Sequence, residues 1–179
     1  QIEGTQATIT DLLNEEAGFS VSNADDVEEV TNYLRAFNWV RDELRKPKGL
    51  PISVRMLSEA DRLLLDGVRG SGKQPGELRK SQNWIGGTRP GNAAFVPPPA
   101  EHVPGLLSDL ERFIHDEQST LAPLIKVALV HAQFETIHPY LDGNGRIGRL
   151  LIGALLEHWK LLPEPLMYLS GYLKQHQME

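Results

Sequence analysis

The sequence predicts an all-α fold, a helical bundle with one small β-hairpin flap, and three observations point that way. Apolar residues recur at helical spacing in one segment after another. The breaks between those segments are short and rich in Gly, Pro, Ser and Asn. The one β-prone stretch, NWIGGTRPGNAAFVPPP over residues 83–99, is interrupted by turn residues and closes on three prolines, so it forms a flap and not part of a sheet. A chain of 179 residues suits a single domain, read here as residues 1–179 with a terminal segment over 1–20.

Taken in order, ITDLLNEEA reads as a short amphipathic helix ending at Gly18. Ser22 and Asn23 are good N-cap residues for DDVEEVTNYLRAFNWVRDEL, whose spacing puts Val27, Val30, Leu34, Phe37 and Val40 on one face. Ser58 to Asp61 resembles a capping box ahead of RLLLDGV. HVPGLLSDLERFIHDE and LAPLIKVALVHAQFETI are two further helices, the second apolar enough to be the buried centre of a bundle. NGRIGRLLIGALLEHWKLL begins another, and PLMYLSGYLKQHQ reads as the last.

Bulk properties exclude several classes of function. A net charge of −6 disfavours nucleic acid and acidic membranes as partners. No apolar run reaches membrane-spanning length, since LLIGALLEHW is broken by Glu157 and His158. The absence of cysteine removes disulfides, zinc–thiolate sites and thiol nucleophiles. A cytoplasmic protein without a leader is the plain reading, and QIEG at one end with YLKQHQME at the other reads as a domain cut from a longer chain.

Gly67 to Lys73, GVRGSGK, fits seven positions of a phosphate-binding P-loop, yet the eighth is Gln74 where Ser or Thr should hold magnesium. The preceding DRLLLD reads as a helix, whereas that motif follows a strand. A helix end running into a Gly/Ser loop explains these residues better.

The chemistry concentrates in HPYLDGNGRIGR, residues 138–149. Gly143, Asn144 and Gly145 precede the periodic run Ile147, Leu150, Leu151, Ala154, Leu155, which places them at a helix N-terminus, where free N–H groups and the helix dipole attract an anion. Arg146 and Arg149 lie on one side of the first turns; two guanidiniums there repel each other unless an anion joins them. Asp142 beside such a nest suggests an intervening cation, and Mg²⁺ suits one carboxylate plus phosphates. His138 titrates in the range of a general base. Base, metal ligand, anion hole and positive clamps together match phosphoryl or nucleotidyl transfer.

The stretch resembles the signature of Fic-domain proteins, His-Pro-aromatic-x-Asp/Glu-Gly-Asn-Gly-Arg-x-x-Arg, with Tyr140 in the usual Phe position. Eight fixed matches have a chance expectation on the order of 10⁻⁸ in such a chain. ELRKSQNWIGG, FVPPP and PLMYLSGYL are similar to the family's flap and C-terminal regions. The resemblance implies a helical bundle around the signature loop and, as activity, AMP transfer from ATP to a protein hydroxyl. It implies His138 as base for a Ser, Thr or Tyr of the target and Asp142 as the Mg²⁺ ligand. It implies Asn144 with the Gly143 and Gly145 amides at the α- and β-phosphates, and Arg146 and Arg149 at the β/γ end. The GNGR core favours nucleotidyl transfer over the phosphorylation performed by the Doc branch, which has Lys for the first Arg.

Many family members also carry an inhibitory helix with the pattern Ser/Thr-x-x-x-Glu-Gly/Asn. Glu3-Gly4 matches its end, and the resemblance implies that Glu3 pairs with Arg149 in place of a γ-phosphate. The flap is the expected docking edge for an extended target peptide. Tyr168 and Tyr172 are candidates for an adenine pocket, with packing in the core as their alternative. Self-modification and a homodimer stay open. So do two other readings: the same site working with another nucleotide or removing AMP, and a non-catalytic nucleotide-binding module.

Overall fold

The computed structural model describes residues 24–162. Glu3, Tyr168, Tyr172 and the first and last of the expected helices lie outside the described residues. Within them the chain forms a helical bundle: α1 (Ala24–Arg45), α2 (Val54–Leu64), α3 (Val103–Ile114), α4 (Pro123–Ile137) and α5 (Asn144–His158). Helix α1 packs on α2, α4 lies between α3 and α5, and α5 also touches α1 and α2. Among the described residues no helix is long and apolar enough to cross a membrane.

Helix α1 carries Asp25 and Asp26 in its first turn and Arg45 in its last, complementing its dipole. Its buried face is Val27, Glu29, Asn32, Ala36 and Val40. The expected face is therefore corrected: Leu34 is 45% exposed, while two polar residues point inward. Both find partners. Asn32 donates to the Asp66 carbonyl at 2.7 Å, and Glu29 pairs with Arg146.

The N-cap of helix α2 lies five residues before the expected one. Ser53 is its N-cap, and the Ser53 hydroxyl accepts from the Met56 N–H. Glu111 of α3 accepts from the Val54 N–H at 2.9 Å, so the first turn of α2 is also capped from a neighbouring helix. Ser58 and Asp61 lie inside the helix, where Asp61 is buried with Met56, Leu57, Ala60 and Leu64.

Helix α4 is buried on one face, not on all sides, and its exposed face is also apolar. Val127, Val130, Phe134 and Ile137 enter the core, whereas Leu124, Ile125 and Leu129 are exposed. Lys126 is buried with them: its ammonium donates to the Asp116 carbonyl and lies over the rings of Phe113 and Trp159. Glu157 near the end of α5 binds both Arg41 and Arg45, fastening α5 to α1.

The flap is looser than a hairpin. One antiparallel bridge, Ile85 to Phe95, stands alone, and Pro90–Asn92 forms a 3-10 turn between them. Gly86 and Gly87, both at φ +68°, break the extended backbone directly after Ile85, and Pro97 to Pro99 offer no donors beyond Val96. After Leu64 the chain enters turns with Gly67 and Gly70 at positive φ, so GVRGSGK follows a helix, as expected of a loop that is not a P-loop.

Candidate active site

Helix α4 ends at His138, which sits at φ +50°, ψ +62° and donates its N–H to the Phe134 carbonyl at 3.0 Å. A non-glycine residue is uncommon in this left-handed region. The His138 carbonyl is fixed from outside, accepting from Arg79 Nε at 2.9 Å and Asn83 Nδ2 at 3.4 Å.

Four residues on, the loop closes on itself. Asn144 Oδ1 accepts from the Tyr140 N–H at 2.9 Å, and Asn144 Nδ2 donates to the Tyr140 carbonyl at 2.8 Å. Both ends of the buried Asn144 amide thus hold the loop. The Tyr140 side chain is buried against Phe134, its hydroxyl 3.4 Å from Ser58 Oγ, and burial pushes the phenol up. Ile147 donates to the Gly143 carbonyl at 2.9 Å, so the amides of the preceding turn, Gly145 among them, have no acceptor inside the helix.

Gly143 is needed here for two reasons. It stands at φ +79°, and a Cβ on it would come within 2.9 Å of Asp61 Oδ1. That carboxylate, invisible in the sequence motif, lies beneath the loop. Its Oδ2 accepts from the Gly76 N–H at 2.8 Å, while Oδ1 is buried without a hydrogen-bond partner. Burial pushes the Asp61 carboxyl up to about 7; the Gly76 N–H and Arg146 oppose the rise and Asp142 adds to it.

The two arginines differ. Arg146 is wholly buried, with one nitrogen 3.3 Å from Glu29 and another 3.4 Å from Asp142. Glu29 is itself shared with Arg69 at 3.4 Å. The repulsion expected between Arg146 and Arg149 is therefore answered by protein carboxylates, and no external anion is required for it. Arg149 is half-buried, and its charge acts on Tyr33 of α1 and His131 of α4. Burial pushes the Tyr33 phenol up and the His131 imidazole down; Arg149 opposes the first shift and reinforces the second. Glu29, Asp61 and Arg79 are the residues that sequence reasoning did not find. Buried charge inside a helix is the signal that Glu29 and Asp61 carry, whereas Arg79 lies in a loop and carries no such signal.

Asp142 accepts from the Gly143 N–H at 2.6 Å through Oδ1, and its Oδ2 faces Gly70. Its side chain is 34% exposed. Among the described residues no three His, Cys, Asp or Glu side chains converge as a metal cluster. A lone, partly exposed carboxylate fits Mg²⁺, which completes its shell with phosphates and water, better than a metal held by protein alone.

The sequence profile of the Fic/DOC family matches residues 51–156, more than half of the chain, and the family's N-terminal profile matches residues 1–42. The chain is 30% identical over 162 residues to the protein adenylyltransferase Fic of Drosophila yakuba, covering 87% of this chain and 30% of that protein. It is 40% identical over 82 residues to a probable protein adenylyltransferase of Aquifex aeolicus, covering 46% and 24% respectively. The chain thus spans less than a third of the length of these relatives. A Fic family protein from Desulfovibrio desulfuricans superposes with a TM-score of 0.70 at 27% identity over 92% of this chain and 47% of the other. A Fic domain-containing signaling protein from Bacteroides thetaiotaomicron shares the fold with a TM-score of 0.73 at 24% identity, over 88% and 59%.

Proposed function

The chain belongs to the Fic/DOC family, and from that membership we propose that it transfers AMP from ATP to a Ser, Thr or Tyr hydroxyl of a protein. The observation that carries the reading is the Tyr140–Asn144 clasp. It fixes His138 at the end of one helix relative to the amide-lined start of the next. Proton acceptor and anion site are thereby held in a set relation, which is how positioning lowers a transfer barrier.

In this reading His138 takes the proton from the attacking hydroxyl. The hydroxyl oxygen bonds to the α-phosphorus, the bond from that phosphorus to the bridging oxygen breaks, and pyrophosphate leaves. The Gly145 amide holds phosphate oxygens at the start of α5, while the Gly143 N–H is engaged by Asp142. Arg149 meets the far phosphates, while Arg146 keeps α5, Asp142 and α1 in register. Asp142 is the residue that would hold Mg²⁺, which supplies neutralising charge on the phosphates. The exposed apolar residues Trp84, Ile85, Phe95 and Val96 on the flap suit an extended peptide of the target. Glu3 restrains the enzyme by occupying Arg149.

The test is labelling. Protein carrying Glu3→Gly, incubated with Mg²⁺ and ATP labelled at the α-phosphate, should acquire label in itself or in a lysate target. ATP labelled at the γ-phosphate should give none. Label from the γ position alone would establish kinase chemistry instead.

A further inference from the structure

We propose that Arg79 is a positioning residue for His138, clamping both ends of the flap onto the backbone that aims the imidazole; the inference rests on the reading of His138 as base. The Arg79 side chain is 2% exposed, and all of its hydrogen bonds go to backbone carbonyls. Nε donates to His138 at 2.9 Å and Nη1 to Ser81 at 3.2 Å. Nη2 donates to Pro98 at 2.5 Å and to Ile137 at 3.3 Å. The Arg79 N–H adds a bond to the Pro139 carbonyl at 2.9 Å. One side chain therefore touches Ser81 just before the flap, Pro98 at its far end and the end of α4.

A buried charge without a counter-ion is unfavourable, and burial alone lowers the Arg79 pKa. The negative end of the α4 dipole and carbonyls left without helical partners compensate it. The planar fork of arginine is required, because an ammonium cannot reach carbonyls on three segments at once.

The connection to chemistry runs through the His138 backbone. At φ +50° that residue is in a conformation a non-glycine residue leaves readily unless held. Relaxing it would swing the carbonyl away from Arg79 and from Asn83, and would turn the Cα–Cβ bond that sets the direction of the ring. Asn83 supports the same clamp, donating to the Tyr140 carbonyl at 3.2 Å as well as to His138. Gln82 closes the base of the flap by donating to the Pro97 carbonyl at 2.8 Å.

The experiment compares wild type with Arg79→Lys and Asn83→Ala in the full chain. Histidine ring NMR is recorded alongside ATP affinity and the rate of AMP transfer, and the His138 signal is identified by its loss in His138→Ala. The expected result is a displaced or doubled His138 ring signal in both variants. Transfer at saturating ATP should fall about 10–100-fold in Arg79→Lys, with ATP affinity unchanged. A folded Arg79→Lys protein with the wild-type His138 signal overturns the proposal and makes Arg79 an anchor of the fold alone. If Arg79→Lys does not fold, an unmoved signal in Asn83→Ala does the same. Activity surviving in His138→Ala would instead remove the base assignment, while the NMR comparison still decides whether Arg79 orients the ring.

Discussion

Arg146 of the signature helix and Glu29 of α1 form a buried ion pair 3.3 Å long, with the Arg146 side chain fully enclosed and that of Glu29 7% exposed. It places a motif residue in the architecture of the bundle as well as beside the proposed phosphate site.

Removing one partner should be costly. Glu29→Ala leaves the Arg146 guanidinium buried with its compensation reduced, and should destabilise the fold by about 3–5 kcal/mol. The double change Glu29→Leu with Arg146→Met should recover a large part of that loss. Urea denaturation of wild type, Glu29→Ala, the single variants Glu29→Leu and Arg146→Met, and the double variant checks it; additive losses in the double variant would show that the two groups do not interact.

Asp61 predicts a pH dependence of stability. Its folded carboxyl holds a proton to about pH 7, whereas its ordinary value is 3.8. Between these values the folded state binds more protons than the unfolded one, so stability is fully present below the lower value and falls as pH rises towards 7. Arg146 and Asp142 both face this group, pulling in opposite directions. In metal- and nucleotide-free protein, Asp61→Asn should remove the slope and gain up to about 4 kcal/mol at pH 8. An unchanged slope between pH 5 and pH 8 in the variant would assign the dependence to other groups.

His138→Ala should abolish AMP transfer and leave ATP binding within about twofold, because the phosphates are held by other groups. Calorimetric titration with ATP and Mg²⁺ beside the labelling assay separates the two effects. A variant that labels protein at the wild-type rate would mean that His138 is not the base.

Asp142→Asn keeps a side-chain oxygen for the Gly143 N–H but loses the charge that attracts Mg²⁺. ATP affinity should then lose its response to Mg²⁺, with a fall in transfer of about 100-fold or more. Retention of the wild-type Mg²⁺ response would move the metal site elsewhere.

If Glu3 restrains Arg149, Glu3→Gly should raise labelling severalfold, and Arg149→Ala in the same background should cancel the rise. A gain that survives loss of Arg149 would point to a general loosening of the N-terminus.

The sequence made the helices legible because their apolar spacing is regular, and the motif legible because its residue types are rare in combination. It misplaced what depends on partners far along the chain. Ser58 looked like a cap because a hydroxyl followed by an acid is a local pattern, yet Ser53 caps α2 with help from Glu111 of α3. Leu34 looked buried because periodicity cannot see that Glu29 and Asn32 have partners across the bundle. The Asn144 amide closes the loop on Tyr140, a bond between side chain and backbone that no apolar periodicity reports.

That clasp acts as a ruler. Two reciprocal bonds between residues four apart fit one loop length, and a single inserted residue would break them and force the loop to bulge. His138 and the start of α5 would then lose their set spacing. Substitution can explore this segment, but change in its length cannot. The flap, with one bridge and a glycine pair at its bend, is free to grow or shrink between Asn83 and Pro98. Diversification among relatives should accordingly appear as insertions and deletions in the flap and as a fixed count of residues between His138 and Asn144.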